Sequence, residues 1–300
     1  MKAANLAIIL LMLSVVAADA QFSYATLPFS AAGISGNNIV GTFSDNAGNH
    51  GYFYDGSTYI TLDDPLSRPG NTLVNGVSGD EIVGYYYGDV DGTAHGFLYQ
   101  DGAYQTLENP LGNFTVAEGI SGNKIVGYFY AANLNAGPHG FFYNGSNYSI
   151  LDDPLGRTFP MAVSGDKIVG FYEGKDGFTH GFLYDGGNFR TLDDPSGIHG
   201  TVVSGISGNN LVGYYTDSTG FHGFLYDGTT FTTLDDPLAV NGTFANSISG
   251  DEVVGYYYGD DWAHGFIVTV PEPSVLTVFT IGVGALLCSR LGVIGVVRFE

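Results

Sequence analysis

From residue 22 to residue 270 the apolar positions come in short runs broken by glycine, proline, asparagine and aspartate, without the three-or-four spacing of an amphipathic helix. The stretch 201–237 shows the pattern. Thr201 to Ser207 is β-branched and apolar, and Gly208 with Asn209 supplies a tight turn. Leu211 to Tyr215 forms a second run, and residues 217–220 (Asp-Ser-Thr-Gly) a second turn. Phe221 to Tyr226 reads as a third strand, closed by Asp227-Gly228, a preferred pair for a two-residue hairpin turn. Phe231 to Leu234 is a fourth, which Asp235, Asp236 and Pro237 terminate because proline cannot donate to a strand ladder. The apolar residues do not alternate cleanly with polar ones. Such a sheet is apolar on both faces and must be covered on both.

The same text recurs along the chain. His-Gly-aromatic starts at His50, His95, His139, His180, His222 and His264, at spacings of 41 to 45 residues. An apolar pair followed by glycine ends at Gly41, Gly84, Gly127, Gly170, Gly213 and Gly255, and Leu-Asp-Asp-Pro or a variant begins at Leu62, Leu107, Leu151, Leu192 and Leu234. A period in the forties with several short strands per unit predicts a propeller or solenoid. The last unit lacks its Leu-Asp-Asp-Pro strand, and residues 22–28 (Phe-Ser-Tyr-Ala-Thr-Leu-Pro) parallel residues 231–237. The expectation is therefore an all-β, six-bladed β-propeller of four-stranded repeats about 42 residues long, closed by the N-terminal strand. An open solenoid would carry capping units instead.

The two ends have another character. Lys2, the apolar run Leu6–Val16 and the small residues around Ala18-Asp19-Ala20 read as a signal peptide over 1–20, with a mature start at Gln21. At the other end, over 271–300, Pro271-Glu272-Pro273 precedes an apolar stretch from Val275 to Val297, interrupted by Arg290 and long enough for a C-terminal transmembrane helix. This end resembles the PEP-CTERM sorting signal of bacterial surface proteins. The resemblance implies an exosortase-type membrane protease as partner, cleavage near Pro271 to Pro273, and a cell-surface or extracellular-matrix destination, with membrane anchoring before processing. The chain departs from that pattern in its basic tail, which holds only Arg290 and Arg298 in place of an arginine cluster. An ordinary C-terminal anchor is the other reading. The repeats resemble the HAF family of bacterial extracellular repeats, with glycine replacing alanine in every unit; that family implies location and little chemistry.

Charge and cysteine usage remove several function classes. The net charge of −21 falls entirely on residues 21–270, because Lys2, Arg290 and Arg298 outside them are matched by Asp19, Glu272 and Glu300. Such a surface offers no basic stripe for nucleic acid. The one cysteine, Cys288, lies in the apolar tail, so the repeats have no disulfide, zinc-thiolate site or thiol nucleophile. The repeated histidines fit either a metal-binding ring or one structural hydrogen bond per unit. The Asp63-Asp64, Asp152-Asp153, Asp193-Asp194 and Asp235-Asp236 pairs fit either calcium or strand termination, and Glu108-Asn109 takes their place in one unit. Trp262, the only tryptophan, beside Asp260 and Asp261, is a possible glycan contact or a filler at the closing unit. Arg68, Arg157, Arg190 and the insertion 131–138 also break the repeat. No catalytic, cofactor or metal residue is assigned. The sequence points to a non-enzymatic structural or adhesive module that would meet extracellular polysaccharide, with a multivalent glycan-binding propeller and, third, a hydrolase as alternatives.

Overall fold

A computed structural model describes residues 22–88, 92–131, 137–260 and 262–271. The signal segment, the apolar tail with Glu272 and Pro273, most of the insertion and Asp261 lie outside these residues. The described residues are all β, with no helix.

The chain opens with β1 (Ser23–Leu27). A first four-stranded group follows: β2 (Ala31–Ser35), β3 (Asn38–Asp45), β4 (Gly48–Tyr54) and β5 (Tyr59–Leu62). The second is β6 (Ser67–Ser78), β7 (Glu81–Gly88), β8 (Ala94–Gln100) and β9 (Ala103–Leu107). The third is β10 (Gly112–Ser121), β11 (Lys124–Ala131), β12 (Pro138–Tyr143) and β13 (Tyr148–Ile150). The fourth is β14 (Gly156–Ser164), β15 (Lys167–Gly174), β16 (Thr179–Tyr184) and β17 (Phe189–Thr191). The fifth is β18 (Gly200–Ser207), β19 (Asn210–Thr216), β20 (Phe221–Tyr226) and β21 (Phe231–Thr233). The last has β22 (Thr243–Ser249), β23 (Glu252–Tyr258) and β24 (Ala263–Thr269). Each group is an antiparallel meander, and single parallel bridges, Asn49 opposite Asn71 and Thr179 opposite Gly200, tie neighbouring groups. β1 pairs antiparallel with β24, placing Tyr24 opposite Val268 and Leu27 opposite Gly265.

The cores lie between groups, as sheets apolar on both faces require. Val40 and Leu62 of the first group pack with Val74, Val77, Ile82 and Phe97 of the second. The aromatic of His-Gly-Phe is the central filler: Phe97, Phe141, Phe182, Phe224 and Phe266 are fully buried. Its ring leans on the glycine of the apolar-Gly phrase. A methyl group added at Gly213 would meet the Phe224 ring at 2.9 Å, and Gly84, Gly170 and Gly255 stand against Phe97, Phe182 and Phe266 in the same way, which accounts for the pairing of the two phrases in these units.

The meander gives each group two rims. The turns after the first and third strands lie at one rim, and the loop before the histidine and the connection to the next group at the other. The turn rim corrects one expectation. Only Asp101-Gly102 forms the expected two-residue turn, with φ of 53° and 81° and Gln100 opposite Ala103. At Asp227 the loop runs over 227–230 between Tyr226 and Phe231, and the aspartate Oδ1 accepts the N–H groups of Thr229 and Thr230. Asp55 and Asp185 do the same. The side chain closes a wider turn by itself, so the backbone avoids a left-handed conformation at a non-glycine residue.

Candidate functional site

Two places gather polar side chains: the histidine rim and a cavity lined by the first strands. At the rim the histidine begins the third strand, and its Nδ1 bonds the acidic residue thirteen positions on. The distances are 2.9 Å for His50–Asp63, 3.1 Å for His95–Glu108, 2.7 Å for His139–Asp152, 2.8 Å for His180–Asp193 and 2.7 Å for His222–Asp235. The second nitrogen is also engaged in four units, by Asp45, Thr93, Asp176 and Thr219. Each imidazole stacks on an aromatic of the preceding strand, from Phe43–His50 to Tyr257–His264, at 5.1–5.5 Å between centroids. The Asp63 hydrogen bond raises the pKa of His50. At His180 and His222 burial works against protonation, but the paired aspartates outweigh it and the pKa is raised.

The two residues of each acidic pair divide the work. The first orients the imidazole. The second is buried, its Oδ1 accepting the N–H two residues on, as in Asp64–Leu66, Asp153–Leu155 and Asp236–Leu238. Its own N–H donates to a buried threonine on the first strand of the next group: Asp64 to Thr72, Asn109 to Thr115, Asp153 to Thr158, Asp194 to Thr201 and Asp236 to Thr243, at 2.7–3.1 Å. Asn109 keeps the acceptor, bonding Leu111, so the substitution preserves the turn. The leucine after the proline projects outward at this rim, as do Phe178, Phe221, Tyr258 and Trp262. Trp262 is 66% exposed, 6.1 Å from His264 between ring centroids, and fills no gap between sheets. Among the described residues no three His, Cys, Asp or Glu side chains converge on a metal position.

The cavity arises from a bulge. Every first strand slips register at one shared point, for example between Val203 and Gly205 opposite Gly213 and Val212, leaving one residue unpaired there; β6 and β10 carry a second irregularity near their starts. A bulge re-aims that side chain. The residues so freed are Ala32, Asn75, Glu118, Met161, Ser204 and Asn246, and all six line one cavity of about 240 Å³ together with Phe171, Val202, Tyr214 and Tyr256. The first strands approach closely here. A methyl group at Gly76 would lie 2.8 Å from the Glu118 carbonyl oxygen, and one at Gly205 2.9 Å from Cα of Ser247.

The fold is shared with solved structures of other proteins. The chain is similar to the β-propeller domain of the Trilobed protease from Pyrococcus furiosus, at TM-score 0.52 and 10% identity over 81% of this chain and 97% of that one. Aleuria aurantia lectin in complex with alpha-methyl-L-fucoside matches at TM-score 0.51 and 12% identity, over 85% and 97%. TolB from Acinetobacter baumannii matches at TM-score 0.56 and 12% identity, over 78% of this chain and 64% of the TolB chain. The fold is a β-propeller. No family model and no curated protein matches the chain.

The phrases that defined the repeat thus lie at the rim and in the cores. The cavity residues were missed, Glu118 above all. Their signal was present: before each Gly-Ile-Ser or its variant stands the one position where Ala32, Asn75, Glu118, Met161, Ser204 and Asn246 all but fail to repeat. Glu118 is half-buried, and the protein packed around its carboxyl desolvates it and pushes it up to about 8. Of the other repeat-breaking residues, Arg157 pairs with Glu173 at 2.9 Å, and Arg190 lines a groove between the fourth and fifth groups.

Proposed function

We propose that this chain is an exported, six-bladed propeller that acts at the cell surface or in the extracellular matrix as a non-enzymatic structural or adhesive module. The observation that carries the reading is the recurrence of one arrangement at the rim, with both imidazole nitrogens engaged in four units. An imidazole held from both sides is poorly placed to shuttle protons or bind a metal, whereas it pins its loop well. The acidic pairs serve the same end. In the pair Asp152-Asp153 one carboxylate is engaged by histidine and the other accepts a backbone N–H, which supports strand termination over calcium as the role of these pairs.

The strand pairing supports six blades and a closed ring. β1 supplies the outer strand of the last group. Asn246 Nδ2 donates to the Ala31 carbonyl at 2.8 Å, and Gly36 N–H to Ser249 Oγ at 2.9 Å, joining the last group to the first. The Pyrococcus furiosus domain, by contrast, has an open velcro topology. The signal segment and the Pro271-Glu272-Pro273 motif support export, recognition by an exosortase-type protease, and anchoring by the tail until it is cut.

The test is surface labelling of cells producing the full chain, with mass spectrometry of its C-terminus. A surface-accessible species ending near Pro273 is expected; an intact, intracellular chain ending at Glu300 would contradict the assignment.

A second reading, multivalent glycan binding, draws on two grooves between neighbouring groups. The larger, about 640 Å³, presents Lys124, Asp166, Asp185 and Tyr184; the smaller, about 340 Å³, presents Lys167, Asp185 and Arg190. Charged and aromatic groups in shallow repeated grooves suit polysaccharide. Avid retention on a glycan array would favour this reading, and silence across a broad array would remove it.

A further inference from the structure

The side chains that line the bulge cavity do not follow the repeat. Its wall is chemically lopsided. Among the described residues Glu118 is the one carboxyl lining it, beside the polar residues Asn75, Ser204 and Asn246. Asn75 Nδ2 donates to the Ala117 carbonyl at 3.0 Å and Asn246 Nδ2 to that of Ala31 at 2.8 Å, which fixes both amides across the joints between groups. Toward the histidine rim the wall becomes aromatic. Phe171 and Tyr256 are stacked against Phe159 and Phe244 at 4.7 and 4.8 Å, and Tyr214 meets Phe244 at 4.9 Å. Among the described residues no lysine, arginine or histidine lines the chamber.

We infer that the bulge cavity is a binding site for a small organic ammonium ion, held by the Glu118 carboxylate and the faces of Phe171, Tyr214 and Tyr256. Aromatic faces with one carboxylate are the recognition chemistry of alkylated ammonium groups. A bare divalent cation fits poorly, since it takes roughly six to eight close oxygen ligands and the chamber adds to its one carboxylate only the side chains of Asn75, Ser204 and Asn246. The volume, about 240 Å³, lies below the roughly 300–1,000 Å³ of pockets for drug-sized ligands and suits a smaller guest. The net charge of −21 favours drawing a cation inward.

The guest also resolves an electrostatic tension. An empty chamber keeps Glu118 protonated near neutrality, while a cation beside it stabilises the carboxylate. Binding near pH 7.5 should therefore release a proton from Glu118. The titratable groups facing it from the neighbouring strands are tyrosines. Burial holds the phenols of Tyr85, Tyr128, Tyr214 and Tyr256 up, and the charge of Glu118 adds to this at Tyr85 and Tyr128, so they stay neutral over the working range.

The test is calorimetric titration of the full chain, purified in mild detergent, with tetramethylammonium chloride against sodium and potassium chloride at equal ionic strength. Saturable one-to-one binding is expected at pH 9, at least tenfold weaker at pH 6 and at least tenfold weaker in Glu118→Gln. At pH 7.5 the heat should depend on the ionisation enthalpy of the buffer, which reports the released proton without any variant. Tyr214→Leu, which keeps the carboxylate and removes a ring, should weaken binding several-fold. No saturable binding at pH 9, equal binding by Glu118→Gln, or sodium or potassium binding as tightly as the organic ion would each overturn the assignment.

Discussion

The histidine rim and the bulge cavity are built by the same repeat, yet they obey it to different degrees. At the rim, residue after residue recurs: imidazole on aromatic ring, acid on Nδ1, backbone N–H on the threonine of the next group. In the cavity the backbone recurs, bulge for bulge, while the side chains read Ala, Asn, Glu, Met, Ser and Asn. Cohesion between groups demands the same solution at every joint, so those positions converge on one answer. A side chain freed by a bulge joins no ladder pair, so its chemistry is open to serve something else. Uniform positions hold the molecule together; the varied ones differentiate it.

Four substitutions probe that contrast. The largest loss is expected in the repeated core. Phe182→Ala empties a fully buried site between groups and should cost about 3–5 kcal/mol by denaturant unfolding. Glu118→Gln should act in the opposite sense and only at higher pH. A carboxyl whose pKa is raised from 4.5 to about 8 in the folded chain favours folding at low pH, and that advantage is lost as pH climbs between those values. The glutamine variant should match the parent near pH 4.5 and exceed it by a few kcal/mol near pH 9. Thermal midpoints across this range check it. The raised histidines contribute a loss of the same sign, since their stabilisation is complete below pH 6.5 and disappears as pH rises through the folded values. That part should remain in the glutamine variant.

Thr201→Val removes the acceptor that receives the Asp194 N–H and should cost about 1–3 kcal/mol in the same denaturant assay, because a buried donor is left unsatisfied. The exposed Trp262→Ala should change stability by no more than about 0.5 kcal/mol. Should Thr201→Val prove neutral, the joints would owe their strength to packing alone and the rim would lose its distinction.

Much of the fold was readable from residues, because a repeat states its rule many times over. The Gly-Asn turn at Gly208-Asn209, the apolar-Gly strand and the proline stop each fix a strand boundary by local chemistry. The Asp-Gly turns were legible only in part: Asp101 adopts the left-handed backbone of a tight hairpin, whereas Asp227 closes a wider loop with its side chain, and the dipeptide alone does not choose between them. The histidines were visible as a set, but their partners were not, because a contact thirteen residues away depends on where the fourth strand ends. Glu118 escaped notice for a different reason. In sequence it stands among many acids, and only the bulge, a register slip set by the neighbouring strand, turns it inward.

All of this presumes that β1 and the last group share a sheet. Cysteines replacing Ala25 and Ile267, which face each other across β1 and β24, offer the most direct measurement, with Cys288 changed to serine. Mild oxidation should form one intrachain disulfide in nearly every molecule and raise the denaturant midpoint. Free thiols, or cross-links only between molecules, would mean that β1 does not complete the final sheet.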